Sequence, residues 1–337
     1  MAIKNSGSQL KFSEIEQEFG QNNGRSLGRY RNTHPDFKNE NLGELSNLPL
    51  DTGIPTSGQI KFSNFYGKRL NIVVDLYESG NSNYGLNVFT DRFKNGNYQI
   101  VGDYRKTITK SDSEWQGGKK VIIHINKTFG SAGATAESHV AVDMGDIDDN
   151  NANHWPTATT FQIDVGGEGL VGGRGGKGGD AGNEEAPGEN GGNGTSGMRI
   201  PSGFQDEITG ESRIFGGGGG GGSGSGSEQN NSFAWWSDYN SAGGGGGGGG
   251  AGIPAGVDGT ADGPGATQDP QGGGVNTAPS NNTGGDGGRG GDHEEAEGGN
   301  GGNGGGRNSN GSGADNGKNL AGSNGSGGSG GEQYKFY

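Results

Sequence analysis

The chain has 337 residues, of which 81 are glycine and none is cysteine, and it carries a net charge of −14. Hydrophobic residues make up 26%, too few for a fold held chiefly by an apolar core. The missing cysteine excludes disulfide and thiol chemistry. The acidic balance, with 20 Asp/Glu against 8 Lys/Arg in residues 166–337, speaks against nucleic acid or an anionic lipid surface as partner.

The start, Met1-Ala2-Ile3-Lys4-Asn5-Ser6, leads into no apolar h-region, and no run reaches the length of a membrane span. The expectation is a protein made in the cytoplasm and not inserted in a membrane. Residues 1–68 hold an internal echo. Ser6-Gly7-Ser8-Gln9-Leu10-Lys11-Phe12-Ser13-Glu14-Ile15 returns as Ser57-Gly58-Gln59-Ile60-Lys61-Phe62-Ser63-Asn64-Phe65. Ser13 reads as the N-cap of a short helix through Phe19, stopped by Gly20. The polar, Asn-rich stretch between the copies offers few apolar anchors, which suits a segment that orders against a partner. Residues 1–68 are therefore read as a docking segment, against the plainer reading of an N-terminal strand and helix of the next domain.

Residues 69–165 read as strands: Leu70–Leu76, Tyr84–Phe93, Tyr98–Tyr104, Lys120–Asn126, Ser138–Asp143 and Thr159–Val165. They are rich in Val, Ile, Tyr and Phe, and Gly, Asn and Ser turns separate them. The spacing predicts a small antiparallel, sandwich-like β domain. Its last strand runs straight into Gly166, so it would seed the glycine-rich half and fix its register.

Residues 166–337 hold 64 of the 81 glycines, and these keep a period of three. Gly173, Gly176, Gly179 and Gly182 share a register, and the spacing returns at Gly299, Gly302 and Gly305 and at Gly322, Gly325, Gly328 and Gly331. Three is the period of a polyproline-II-type helix, which has no internal hydrogen bonds. Its N–H and C=O groups must then bond neighbouring helices, and glycine lets the backbones approach. A flexible linker would not keep the period across long interruptions, and collagen would need unbroken, Pro-rich repeats. The fold class expected is thus mainly β plus polyglycine II: a docking segment (1–68), a small antiparallel β domain (69–165) and a C-terminal bundle, or sandwich, of polyglycine-II helices (166–337). The runs lie at 166–182, 187–197, 216–226, 243–252, 284–291, 298–306, 311–317 and 322–331. Gly216–Gly222 and Gly243–Gly250 are bare on all faces and should be central, while Gly-Gly-X runs carrying Arg174, Lys177 and Asp180 should lie outside with X in water.

Candidate chemistry is sparse. No phosphate-loop pattern stands between a strand and a helix. His34, His124, His139, His154 and His293 form no short-spaced metal pair. Asp143, Asp146, Asp148 and Asp149 could form a calcium turn or an ordinary solvated acidic turn. No nucleophile–base or paired-carboxylate spacing stands out. The chain is read as no enzyme, with no catalytic residue, metal or cofactor.

The glycine periodicity resembles that of the polyglycine-helix adhesins at the tips of T-even-like bacteriophage long tail fibres. The Ser-Gly-Gln-Ile-Lys-Phe-Ser-x-Phe echo and the junction Asp164-Val165-Gly166-Gly167 also resemble structural tail proteins of marine myoviruses. The resemblance implies a virion protein of a phage tail, made in the host cytoplasm. It would join other tail or fibre proteins through its N-terminal segment and bind a bacterial surface receptor, an outer-membrane protein or a polysaccharide. Monomer and homotrimer both stay open. A purely architectural tail role and a glycine-rich ice-binding protein are the alternatives, although ice binding wants small, uncharged X residues.

Within this reading the loops between glycine runs carry recognition. The loop 227–242 brings Phe233, Trp235, Trp236 and Tyr239 between the two central runs, and the loop 199–215 adds Phe204. Aromatic side chains on loops of a rigid scaffold give large contact area at low entropy cost. The competing reading has the two tryptophans folding down to cap the open helix ends.

Overall fold

The structure is a computed structural model. It describes residues 3–19, 26–30, 53–55, 57–68, 72–76, 80–82, 86–89, 120–131, 139–148, 154–155, 157, 159–182, 187–202, 208–233, 236–261, 284–290, 292–293, 296–315, 320–321 and 324–336. The expected strand at Tyr98–Tyr104 lies outside these residues. The regular secondary structure of the described residues is mostly strand, with one α-helix, α1 (Phe12–Phe19).

Strands β1 (Ile72–Leu76), β2 (Gly80–Ser82) and β3 (Leu86–Asn87) are followed by β4 (Lys120–Ile125), β5 (Thr128–Ser131) and β6 (Val140–Asp143). Next come β7 (Thr160–Val165), β8 (Leu170–Gly172) and β9 (Ser196–Ile200), then β10 (Ile208–Thr209) and β11 (Ile214–Phe215). Three parallel sheets result, β1-β4-β7-β10, β2-β5-β8-β11 and β3-β6-β9-β17, the last strand being β17 (Tyr334–Phe336). Each successive trio lays one strand in each sheet, so the chain coils.

This corrects the antiparallel sandwich expected for 69–165. The turns do not reverse the chain; they pass it to the next sheet. Gly210 makes one such corner at φ 77°, where a Cβ would collide with the Val165 carbonyl oxygen. The run Val121-Ile122-Ile123-His124-Ile125, buried throughout, is the near-continuous apolar pattern of a parallel strand covered on both faces. Like residues stack in register: Val74, Ile123, Ile163 and Ile208 form one row, and Leu76, Ile125 and Val165 another. Trp155 is fully buried, edge-on to Phe89 at 4.8 Å and to Phe161 at 5.5 Å, and its Nε1 donates to the Met144 carbonyl at 2.6 Å.

The described parts of 1–68 pack into the same apolar cluster through Ile3, Leu10, Ile15, Tyr30, Ile54 and Phe65. The echo is structural. At each copy the lysine N–H donates to the side chain three residues on, Lys11 to Glu14 Oε2 at 2.6 Å and Lys61 to Asn64 Oδ1 at 2.7 Å. A short helix comes next each time, α1 at the first copy and a 3-10 turn, Phe62–Phe65, at the second. The helix thus starts one residue before Ser13, because Glu14 reaches back to the Lys11 amide. Phe12 and Phe62 meet edge-on at 6.3 Å.

Beyond β8 and β11 the ladder changes spacing. Gly173, Gly176 and Gly179 donate to Phe215, Gly218 and Gly221 at 2.9, 2.8 and 2.9 Å, one bond every third residue. Segments 173–182 and 216–226 leave the sheets, and 187–195 and 324–333 enter them at β9 and β17. Among the described residues, 216–226 exchanges backbone hydrogen bonds with 173–182, 187–197, 242–252, 298–306, 309–315 and 324–332. Segment 242–252 bonds 173–182, 216–226, 254–261, 284–290 and 298–306. Both are buried along their whole length, while Lys177, Asp286 and Arg289 are exposed. Two segments depart from expectation. The expected loop 199–215 holds β10 and β11, and residues 254–261, which lie between the expected runs 243–252 and 284–291, form a further segment bonded to 173–182. Gly256 and Gly259 were its signal.

Candidate functional site

Segments 216–226 and 242–252 run antiparallel and are joined, at the end away from the three sheets, by the hairpin β12 (Ser227–Phe233) and β13 (Trp236–Ala242). Serine replaces glycine where the inner segment nears this end. Ser223 is buried, and its Oγ donates to the carbonyls of Asp180 at 2.5 Å and Glu189 at 3.2 Å. Past Gly226 the residues gain side chains and the chain takes up ordinary antiparallel pairing, Ser227 with Ala242 through Phe233 with Trp236. Strand β16 (Leu320–Ala321) pairs with the base of β12 at Ser227 and Glu228. A second hairpin, β14 (Asp292–His293) and β15 (Ala296–Glu297), lies beside the first. Strands from three parts of the sequence therefore meet at one end of the glycine segments.

Phe233 and Trp236 are directly paired across the ribbon, and Tyr239 pairs with Asn230. Alternate residues of a strand fall on opposite faces, so Trp236 and Tyr239 belong to different ones. Trp235 lies outside the described residues, between the two strands. Phe204 also lies outside them; its flanking strands β9 and β10 belong to the sheets, at the other end of the glycine segments. The hairpin end is acidic in sequence. The stretches 227–242 and 291–297 contain Glu228, Asp238, Asp292, Glu294, Glu295 and Glu297 and no Lys or Arg.

The acidic turn around Asp146 is engaged with its own chain. Asp143 accepts from the Gly145 N–H at 2.9 Å and faces Arg199 at 3.5 Å. Asp146 accepts from the Ile147 N–H at 2.7 Å, with His154 Nδ1 4.0 Å away. Asp149 is outside the described residues. Among the described residues, no three of the His, Asp and Glu side chains gather as a metal site would require.

A polar row in the first sheet has no counterpart in the sequence reading. His124, 4% exposed, sits with Nδ1 2.9 Å from Asn126 Nδ2 and Nε2 3.4 Å from Asp164, and Thr209 Oγ1 donates to Asp164 at 2.5 Å. The carboxylate bridges hydroxyl and imidazole. The row gives the buried His124 ring a polar neighbour at each nitrogen. Its members are 40 and 45 residues apart and meet through parallel register alone.

The family described as phage tail fibre adhesin Gp38 matches this sequence over residues 88–296. No curated protein matches it significantly. Among solved structures, the crystal structure of the gp37-gp38 adhesin tip complex of the bacteriophage S16 long tail fiber aligns over 98% of this chain and 92% of that one. The identity is 17% and the TM-score 0.33.

Proposed function

The chain belongs to the phage tail fibre adhesin Gp38 family, and from that membership we propose that it grips the host surface with the end that carries β12 and β13. As a member of that family it is a structural protein of the phage tail with a receptor-binding role. The observation that carries the proposal is the position of the hairpin. It is held by the two fully buried glycine segments, at the end opposite the sheets, so its base is anchored on rigid backbone. Recognition loops work best on such a scaffold, because little conformational freedom is left to lose on binding.

The glycine segments are read as polyglycine-II helices. Support comes from the three-residue spacing of their bonds and from segment 216–226 exchanging bonds with neighbours on all sides. Residues 166–337 then form the bundle, 69–165 its support and 1–68 the docking segment for another tail or fibre protein. These are divisions of role, since β9, β10, β11 and β17 share sheets with strands of 69–165.

The receptor contacts are assigned to Phe233, Trp235, Trp236 and Tyr239, and the receptor class to an outer-membrane protein or a polysaccharide. The surrounding carboxylates favour a neutral or basic receptor surface over a polyanionic one. The test is competition. Purified protein should block phage adsorption to host cells in a saturable way. Undiminished adsorption at saturating protein would leave an architectural tail role instead.

A further inference from the structure

The glycine segments meet along a repeated two-point contact. Asn190 Oδ1 accepts from the Ser326 N–H at 2.7 Å, and the next residue, Gly191, donates to the Ser326 carbonyl at 2.8 Å. Asn193 and Gly194 hold Ser329 in the same way, at 2.8 and 2.8 Å. Three antiparallel contacts use the same dipeptide. Asn300 accepts from Gly290 while Gly301 donates to Gly288, Asn303 accepts from Gly287 while Gly304 donates to Gly285, and Asn310 accepts from Gly330 while Gly311 donates to Gly328. Each asparagine is exposed.

Asn–Gly is also the dipeptide with the least steric obstacle to deamidation, because glycine leaves its own amide nitrogen open to approach. That nitrogen loses its proton and attacks the asparagine Cγ; the C–N bond to the side-chain amide breaks, and ammonia leaves a cyclic imide. Water then opens the imide to Asp or to isoAsp, in which the backbone runs through the side-chain carbon. In all five dipeptides both reacting groups are tied to the neighbouring segment. The attacking N–H is a donor in the lattice, and the carbonyl it must attack is an acceptor. Reaction requires both bonds to open and the asparagine to rotate.

We propose that the Asn–Gly dipeptides at Asn190, Asn193, Asn300, Asn303 and Asn310 are latent modification sites which the lattice holds closed, and which open only where a neighbouring segment peels away. An isoAsp at any of them adds a backbone atom and moves every later rung out of register, so one modification would prevent re-closure. The dipeptides thus serve as register clamps while closed and become irreversible once opened. This does not depend on which receptor is bound.

The test is a deamidation time course on the full-length protein at mildly alkaline pH, folded and in denaturant, with each asparagine followed by peptide mass spectrometry. Folding should slow all five sites by roughly tenfold or more, the factor for opening two ordinary hydrogen bonds. Equal rates in the folded and unfolded protein would overturn the proposal. A second arm uses Ser329→Pro, which removes the N–H that holds Asn193 while keeping a backbone angle suited to this helix. In folded S329P, Asn193 should deamidate faster while Asn300 and Asn303 keep the parent rate. An unchanged rate at Asn193 would show that the clamp does not protect it. If S329P fails to fold, the comparison of folded and unfolded parent protein decides alone.

Discussion

The guanidinium of Arg307 lies over the ring of Phe215, its Cζ 3.4 Å from the ring centre. Phe215 ends β11 and Gly216 begins the central segment, so this contact marks the point where sheet becomes glycine lattice. The same ring packs with Leu170 and Ile253, and a Cβ on Gly172 would strike it. Next to Arg307, the Asn308 side-chain oxygen accepts from the Gly216 N–H while the Asn308 backbone N–H donates to the Gly216 carbonyl. Burial pushes the Arg307 pKa down to about 10, still high enough to stay charged over the ring at neutral pH.

Phe215→Ala should therefore loosen the junction from both sides, with a loss of about 3–5 kcal/mol as for other buried aromatics. Calorimetry should show a large drop in Tm. Phe215→Leu, which keeps apolar volume but no ring face, should lose less. Equal Tm values for Phe215→Ala and the parent would remove the junction from the account of stability.

The central position of 216–226 predicts an asymmetry between inner and outer residues. A Cβ on Gly219 would fall on the Gly328 carbonyl oxygen, and one on Gly247 on that of Gly221. These obstacles are backbone and cannot rotate aside. Gly219→Val and Gly247→Val should abolish cooperative unfolding and soluble expression alike. Lys177→Ala, at a side chain 50% exposed with one ion pair to Asp180, should change stability by less than about 1 kcal/mol. A melting curve for Gly219→Val that matches the parent would contradict the lattice.

Much of this lattice was legible because its cause is local. A glycine every third residue states which faces must be bare, and Gly216–Gly222 and Gly243–Gly250 state it on all faces. The strand at Lys120–Ile125 was equally plain. Its partners were not, since parallel register joins His124 to Asp164 and Thr209 without any mark in the intervening sequence. The antiparallel expectation came from turn spacing, which cannot tell a reversal from a corner. Residues 254–261 were hidden by Pro254, Val257 and Asp258, although the Asp258 carboxylate itself takes up a lattice N–H, that of Gly249 at 2.8 Å. The hairpin was legible as a connection, because a loop must join the two central runs. Its faces were not, because they depend on the pairing of Phe233 with Trp236.

Asp180 gives the lattice an acid-sensitive joint. Its Oδ1 accepts from the Thr260 N–H at 2.8 Å and from Thr260 Oγ1 at 3.0 Å, and Lys177 Nζ lies 2.5 Å from Oδ2. Partial burial raises its pKa, but the hydrogen bonds from Lys177 and Thr260 outweigh that and hold it below the ordinary 3.8. A carboxylate with a depressed folded pKa contributes stability above its unfolded value and loses it as pH falls through the folded one. Segment 254–261 should thus loosen below pH 3.8, seen as reduced protection of the Gly256 and Gly259 amides relative to their intrinsic exchange rate. In Asp180→Asn the protection of these amides, relative to their intrinsic exchange rate, should be lower at neutral pH and nearly flat through that range. An acid response in Asp180→Asn equal to the parent's would assign it elsewhere.

The recognition role of the hairpin is tested by Trp235→Ala combined with Trp236→Ala. Trp236 opens β13 and pairs with Phe233 at the very end of the ribbon, six residues beyond buried Ala242. Removing side chains at that distance from the buried segments leaves the lattice bonds of 242–252 untouched. The double variant should keep the parent Tm and lose its ability to compete with phage for host cells. Tyr239→Ala, on the opposite face, should lose less, because a receptor meeting the Phe233–Trp236 face does not reach it directly. The capping alternative, in which the tryptophans cover the open ends of the glycine segments, gives the reverse pattern: a lower Tm with competition falling only in proportion to unfolded protein. Full competition by a stable double variant would take the receptor site off this hairpin and leave β14 and β15 as the next segment to mutate.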